Sequence, residues 1–247
     1  MGILYLGTQG YAYKDWVGNF YPVQVPPDDY LNYYIEHFRA VELDSTFYGV
    51  PQPATVRAWY DLTPPDFVFA AKFPRRLTHA AQLSVDDARA FLDVMQGLRE
   101  KCGPLLLQFA PDFGPERAAE LDRFLAALPQ TFRYAVEFRH AGWNQTQWDR
   151  LAHQRVALCL NDLHFPARAA PVTTNFTYVR WLGNRTQLTR FNRVQLDRRP
   201  ELAWWSEVLR KQLGQGQDVY GFVNNCWSGH APSSARQLQA LISGRAK

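Results

Sequence analysis

A chain of 247 residues, 47% hydrophobic and 20% charged, is long enough to bury one sizeable core and falls where α/β barrels form a single domain, so residues 1–247 are expected to fold as one unit. No segment approaches the roughly eighteen unbroken apolar residues that cross a bilayer, which excludes a membrane partner. The net charge of +4 is a mild bias toward anionic ligands and falls short of the dense basic stripe of a dedicated nucleic-acid binder.

The N-terminus, MGILYLGTQG, lacks the basic start of a secretory signal and runs directly into a strand-like stretch, ILYLG from Ile3. A helical pattern over 28–38 leads to AVELD from Ala40, and FVFAAKF follows from Phe67. Residues 84–101 read as a helix opened by Ser84 before Val85-Asp86-Asp87, with LLLQFA from Leu105 after it. Gly114-Pro115-Glu116 puts proline at the first position of a helix over 115–128, ahead of YAVEFRH from Tyr134. A helix over 144–154 precedes VALCLND from Val156. There the alternation breaks: DLHFPARAAPVTTNF has two prolines and no amphipathic period, so a long loop is expected before TYVRWLG from Thr177. A proline-opened helix over 200–214, YGFVNN from Tyr220 and a helix over 232–243 complete the chain, and residues 244–247 are expected to fray.

Eight strand-like runs, with starts about thirty residues apart, match an α/β fold of the single (β/α)8 TIM type, with the helix after strand 6 degenerate or replaced by a loop. Cys102, Cys159 and Cys226 are odd in number and contain no C-x-x-C pair, which argues against a disulfide framework and a zinc knuckle. With no signal peptide in view, a reducing, cytoplasmic setting is expected.

Alternation along the strands locates a site. The outer side of a barrel strand meets helices and must be apolar, so Val41 and Leu43 face out while Glu42 and Asp44 face the axis. By the same parity Lys72, Gln108, Glu137, Arg139, Arg180 and Asn224 point inward at the C-terminal ends of their strands. An inward polar group at the bottom of a barrel would suffer uncompensated desolvation, whereas at the top it lines the pocket made by the βα loops. The plain alternative is that these acids and bases pair into a salt-bridge network that closes the barrel.

The segments GTQGYAYKDWVGNFYP from Gly7, VELDSTFYGVP from Val41 and FAAKFPRRLTH from Phe69, together with LLLQFAP, AVEFRHAGW and VNNCWSGHAPSSA, resemble the YecE-like family, also called domain-of-unknown-function family 72. The resemblance runs nearly end to end. It implies a TIM-type barrel and no activity, so it carries over no catalytic residue. The family usually shows an Asn in the stretch that here reads PSSA, which makes Ser233 and Ser234 a departure.

Read for chemistry, the inward set suggests acid/base catalysis. Glu42 and Glu137, from separate strands, are candidates to flank a substrate bond, with Lys72 between them as a charge stabiliser or, less favoured, a nucleophile. Lys72, Arg75, Arg139 and Arg180, with His79 close in sequence, would select an anion. Gln108 and Asn224 would orient it, and Asp162, Trp143 and Tyr11 complete the candidate ligand-binding set. Aromatic residues after the strands, among them Trp16, Phe20, Tyr21 and Trp227, either stack on a base or sugar or pack the loops together, and packing is the favoured reading. Glu137, His140, Asp162 and His164 make a poor ligand set because Glu137 and His140 differ in strand parity, so no metal is expected. No Gly-rich phosphate loop is present, so no nucleotide cofactor is expected either. The expected function is a cofactor-free enzyme, nominally a hydrolase, acting on a small anionic, phosphorylated, nucleotide-like or sugar-containing ligand. The alternative is a non-catalytic protein that binds single-stranded nucleic acid or another anion.

Overall fold

The computed structural model describes residues 1–163 and 171–244. Eight strands form a closed parallel barrel in chain order: β1 (Leu4–Gln9), β2 (Ala40–Leu43), β3 (Val68–Lys72), β4 (Cys102–Gln108), β5 (Tyr134–Glu137), β6 (Ala157–Asn161), β7 (Phe176–Trp181) and β8 (Asp218–Val223). Each strand coincides with one of the apolar runs, and β8 pairs with β1 to close the ring. The helices are α1 (Tyr30–Ile35), α2 (Pro53–Leu62), α3 (Arg75–Thr78), α4 (Val85–Met95), α5 (Ala118–Ala126), α6 (Gln145–His153), α7 (Arg199–Gly214), α8 (Asn225–Ser228) and α9 (Ala231–Ile242).

The expected cap at Ser84 is in place, and α6 adds one of its own. Ser84 accepts the Asp87 backbone N–H at 3.1 Å, and Asn144 forms a capping box with Gln147 at the start of α6. Helix α2 is not among the expected helices; Pro53 opens it, and it buries Val56 and Trp59 against the sheet. Between β6 and β7 the described residues, 162–163 and 171–175, hold no helix; the rest of the expected long loop, 164–170, lies outside the described residues. Of the expected frayed end, so do residues 245–247.

Strand alternation produces two cores. Val41, Phe69, Leu105, Leu107, Val136 and Val179 pack outward against the helices, and a second cluster fills the barrel itself. Inside, Ala40, Ala70, Ala135 and Ala157 stand on β2, β3, β5 and β6, while Phe176, Tyr178, Tyr220 and Phe222 come from β7 and β8. Small residues on one side thus leave room for aromatic rings from the other, at the close packing an interior requires. The same asymmetry lets a long side chain on β7 reach across the axis.

One close approach fixes the β1–β2 seam. The Tyr34 hydroxyl lies between the strands, accepting from Thr8 N–H at 2.9 Å and donating to the Ala40 carbonyl at 3.0 Å. Gly7 makes this possible, since a Cβ there would sit 1.9 Å from the Ala40 carbonyl oxygen and 2.8 Å from the Tyr34 hydroxyl. Gly7→Ala is therefore expected to destabilise the fold by roughly 1–3 kcal/mol or more, as overpacking does. An unchanged urea midpoint would show that the seam can open without loss.

Candidate functional site

The barrel's own register brings the inward polar residues to one level. Gln9 pairs with Glu42 across β1–β2, Gln108 with Glu137 across β4–β5, and Asn161 with Arg180 across β6–β7. Lys72 ends β3, and Asn224 follows β8 as the cap of α8. All are at the C-terminal ends of their strands.

The lower layer is a closed ion cluster. Arg180 crosses the axis and donates through Nε at 3.1 Å and Nη2 at 2.9 Å to Glu42 Oε1. Its Nη1 donates to Glu137 Oε2 at 2.6 Å. Glu42 Oε2 accepts the Tyr178 hydroxyl at 2.6 Å, and Glu137 Oε1 accepts Arg139 Nε at 3.1 Å. Glu42 and Glu137 are 0% exposed and Arg180 1%; Arg180 bridges both carboxylates, Arg139 adds the second positive charge, and every carboxylate oxygen is hydrogen-bonded. Gln9 Oε1 extends the network, accepting from Arg180 Nη2 at 3.1 Å and from Asn224 Nδ2 at 2.9 Å.

The two glutamates differ electrostatically. Burial pushes the Glu137 carboxyl up, but the charges of Arg180 and Arg139 overcome it and hold it down at about 2. Burial also pushes Glu42 up, and there Arg180 is opposed by the like charge of Asp44, so its carboxyl stays above the ordinary value. An extra cation, Arg139, on the Glu137 side and an extra anion, Asp44, on the Glu42 side make the difference.

Above this layer is a more open rim. Lys72 donates from Nζ to Gln108 Oε1 at 3.1 Å, lies 3.6 Å from Asp44 Oδ1 and sits 4.1 Å over the Phe47 ring. Burial and then the charge of Arg180 push its ammonium below the usual lysine range. Arg139 Nη2 donates to the same Gln108 oxygen at 2.9 Å, and its side chain keeps 21% exposure. Asp44, 28% exposed, lies 3.7 Å from Arg180 Nη2, and its Oδ1 has no hydrogen-bond donor among the described residues. His79 stands on the same side: burial and then Arg75, Arg139 and Lys72 lower its pKa. Arg75 is exposed and carries no ion pair among the described residues.

Other expected site residues have structural roles. Asp162 spends both oxygens on backbone, accepting Leu182 N–H at 2.6 Å and Gly183 N–H at 3.1 Å; the inward residue of β6 is Asn161, one position earlier. Trp143 is buried, stacked on Phe138 at 3.8 Å, and donates from Nε1 to the Phe113 carbonyl at 2.7 Å, so no ring face is left for a ligand. Tyr11 packs on the outer core beside Tyr34. Trp16, Phe20, Tyr21 and Trp227 are likewise buried, in line with loop packing. Ser233 and Ser234, the departure from the family pattern, bond to His230 and Ser228 in the first turn of α9. Among the described residues no group of three or more His, Cys, Asp or Glu side chains could hold a metal ion, and His164 lies outside the described residues.

Gln9 and Tyr178 belong to the cluster, and Asn161 stands level with it in register; none of the three is among the residues expected from the sequence. Parity could have found all three: Gln9 alternates with Gly7 and Tyr5, Tyr178 precedes Arg180 by two, and Asn161 follows Cys159 by two. Gln9 and Asn161 are polar residues at strand ends like the others; Tyr178 reads as ordinary barrel filling.

Comparison with known proteins agrees with this architecture. The model of the family described as protein of unknown function DUF72 matches residues 5–247. The UPF0759 protein YecE of Escherichia coli (strain K12) is 34% identical over 160 residues, covering 62% of this chain and 56% of that protein, so the match spans little more than half of that relative. The UPF0759 protein YunF of Bacillus subtilis (strain 168) is 24% identical over 277 residues, covering 97% of this chain and 95% of that protein. A crystal structure of a DUF72 family protein from Thermotoga maritima superposes with a TM-score of 0.83 at 26% identity, over 98% of this chain and 99% of that one. A second, from Enterococcus faecalis, reaches 0.77 at 22% identity over 98% of each chain, a likeness of fold alone.

Proposed function

This chain belongs to the DUF72 family of proteins of unknown function, and we propose that its barrel mouth carries out acid/base chemistry, nominally a hydrolysis, on a small anionic ligand. The supporting observation is Asp44: its Oδ1 stands 3.6 Å from Lys72 Nζ and 3.7 Å from Arg180 Nη2 with no hydrogen-bond donor among the described residues. That oxygen is buried against the two cations, and the 28% of the side chain that stays exposed presents the carboxylate at the mouth, within reach of a substrate hydroxyl or an attacking water.

In this reading Asp44 is the base, and Lys72, with its lowered pKa, is the acid or charge stabiliser beside it. Arg139, with Arg75 and His79 near it, receives the ligand's anionic group through Nη1, since Nε and Nη2 are bonded to Glu137 and Gln108. Glu42 and Glu137 are positioning residues rather than catalytic ones, because their oxygens are already bonded beneath the rim. They set the orientation and charge of Arg180, and through it the field at Asp44. The buried loop aromatics give little support to the alternative of a stacking platform for single-stranded nucleic acid. Free thiols at Cys102, Cys159 and Cys226 fit a reducing, cytoplasmic setting. Among the described residues no helix is long and apolar enough to cross a membrane.

The test pairs turnover with binding. Phosphomonoesters, phosphodiesters, sugar phosphates and glycosides are offered as substrates, and inorganic phosphate affinity is measured by calorimetry. Arg139→Met is expected to weaken phosphate binding about tenfold, the loss of one or two charge-assisted hydrogen bonds. Turnover on none of the panel together with unsaturable phosphate binding would remove the proposal, whereas saturable binding without turnover would reduce it to a binding protein.

A further inference from the structure

Three arginines precede neighbouring strands on the opposite, N-terminal face of the barrel: Arg99 before β4, Arg133 directly before β5 and Arg155 before β6. Arg99 and Arg133 line one cleft of about 720 Å³. Arg133 and Arg155 line a second, of about 410 Å³, which continues from the first through Phe132.

The backbone at two of these positions is unusual. Among the described residues, Arg99 with φ 50° and Arg155 with φ 57° are the non-glycine residues at positive φ. Glycine adopts such a conformation freely and other residues adopt it at a cost. Arg155 also closes the turn after α6, where glycine is the usual choice. Arginine in such a backbone conformation points to a role for its side chain.

Local carboxylates do not supply that role at Arg99 or Arg155, whereas Arg133 is already engaged by Asp218 and by the Tyr220 hydroxyl. Asp218 serves Arg133 at 3.5 Å and the Ile3 N–H at 3.0 Å, and Glu100 accepts the Tyr60 hydroxyl at 2.9 Å. Arg99 lies 5.1 Å over the Tyr60 ring, and neither it nor Arg155 has an ion pair among the described residues. Neighbouring strands are about 5 Å apart, so the three positions span roughly 10 Å of rim. A row of forked cations at that spacing matches linked anionic groups better than a single ion.

We infer that the N-terminal face carries a second anion site, separate from the mouth, that binds a short polyanion of linked phosphate-like groups along Arg99, Arg133 and Arg155. The site is independent of the chemistry proposed for the mouth.

Inorganic tripolyphosphate is the probe, titrated calorimetrically at low salt into the full chain and into Arg99→Gly, Arg155→Gly and the double variant. Each single change is expected to weaken binding about tenfold and the pair further, though not as a simple product because both arginines share one ligand. Because glycine relieves the backbone, the melting temperature should stay level or rise in both variants. Arg139→Met should weaken any binding at the mouth and leave the affinity of the N-terminal site within about twofold. Three results would overturn the inference: no saturable binding, binding lost in Arg139→Met but kept in the double variant, or a lower melting temperature in either glycine variant. The last would show that the arginines are held for the fold.

Discussion

Arg180→Met is expected to lower the unfolding free energy by roughly 3–5 kcal/mol at neutral pH, the range for removing one partner of a buried ion cluster. Methionine fills similar space, so the loss comes from charge. Glu42 and Glu137, both 0% exposed, would be left with Arg139 alone, which reaches only Glu137. The pH dependence gives the mechanism a separate readout. In the variant the buried carboxyls titrate higher than in the unfolded chain, so the folded state binds protons more tightly and gains stability as pH falls. In the wild type Glu137, held at about 2, works in the other direction: its contribution is present above its unfolded value of about 4.3 and fades as pH drops toward 2. Glu42, raised instead, opposes that slope and so flattens the wild-type profile. Urea midpoints measured from about pH 8 to about pH 4.5 should therefore converge between variant and wild type on acidification. A constant gap would mean that Arg180 contributes packing rather than charge compensation. Converting Glu42 and Glu137 to Gln alongside Arg180→Met should recover much of the loss.

Asp44→Asn should reduce turnover by about 10²- to 10⁴-fold, the range for losing a general base, with only a modest stability loss: Lys72, 5% exposed, gives up the charge of its ion-pair partner, but the amide oxygen stays in place. The side chain keeps its shape and its place before the turn at Ser45, but its oxygen becomes a poor proton acceptor. Phosphate affinity should hold or rise slightly, since a negative charge leaves the rim between Lys72 and Arg180. This combination separates Asp44 from its neighbours: Glu137→Gln should reduce stability more, by leaving Arg180 and Arg139 short of an acceptor. If the Asp44→Asn variant turns substrate over within a few-fold of wild type, Asp44 is not the base. Loss of turnover together with loss of phosphate binding would make it a ligand contact instead.

Arg180 and Asp44 stand in adjacent layers of one cluster, and the boundary between the layers decides which carboxylates can act. Glu42 and Glu137 are attractive on paper because they are acids on separate strands facing the axis. Arg180, long enough to cross from β7, uses up their acceptor sites. Asp44 lies beyond the end of β2, where the chain has turned toward the rim, and it escapes that saturation. Its distance from the cations, 3.6 and 3.7 Å, is too long for a hydrogen bond and short enough for strong attraction.

Much of this was legible in the sequence because it depends on local periodicity. Hydrophobic runs of about four to seven residues set the strands, and since side chains alternate strictly along a strand, parity alone put Glu42, Lys72, Gln108, Glu137 and Arg180 on the axis. Ser84 marked a helix start because its hydrogen bond reaches only three residues ahead. Parity does not apply once a strand ends, which is why Asp162 reads as a ligand group although Asn161 holds the inward position. Trp143 illustrates the same limit in a loop: its stack on Phe138 and its bond to the Phe113 carbonyl depend on contacts up to 30 residues away.

Periodicity and composition were thus enough to specify the barrel, the face of each strand and the charge inventory of its mouth, because all three follow from two-residue repeats and residue counts. Which charges cancel is a matter of three-dimensional reach. It depends on single side chains spanning the axis, as when Arg180 bridges Glu42 and Glu137 from 138 and 43 residues away. Burial then turns each such contact into either a saturated ion pair or, at Asp44, a carboxylate oxygen still lacking a donor among the described residues.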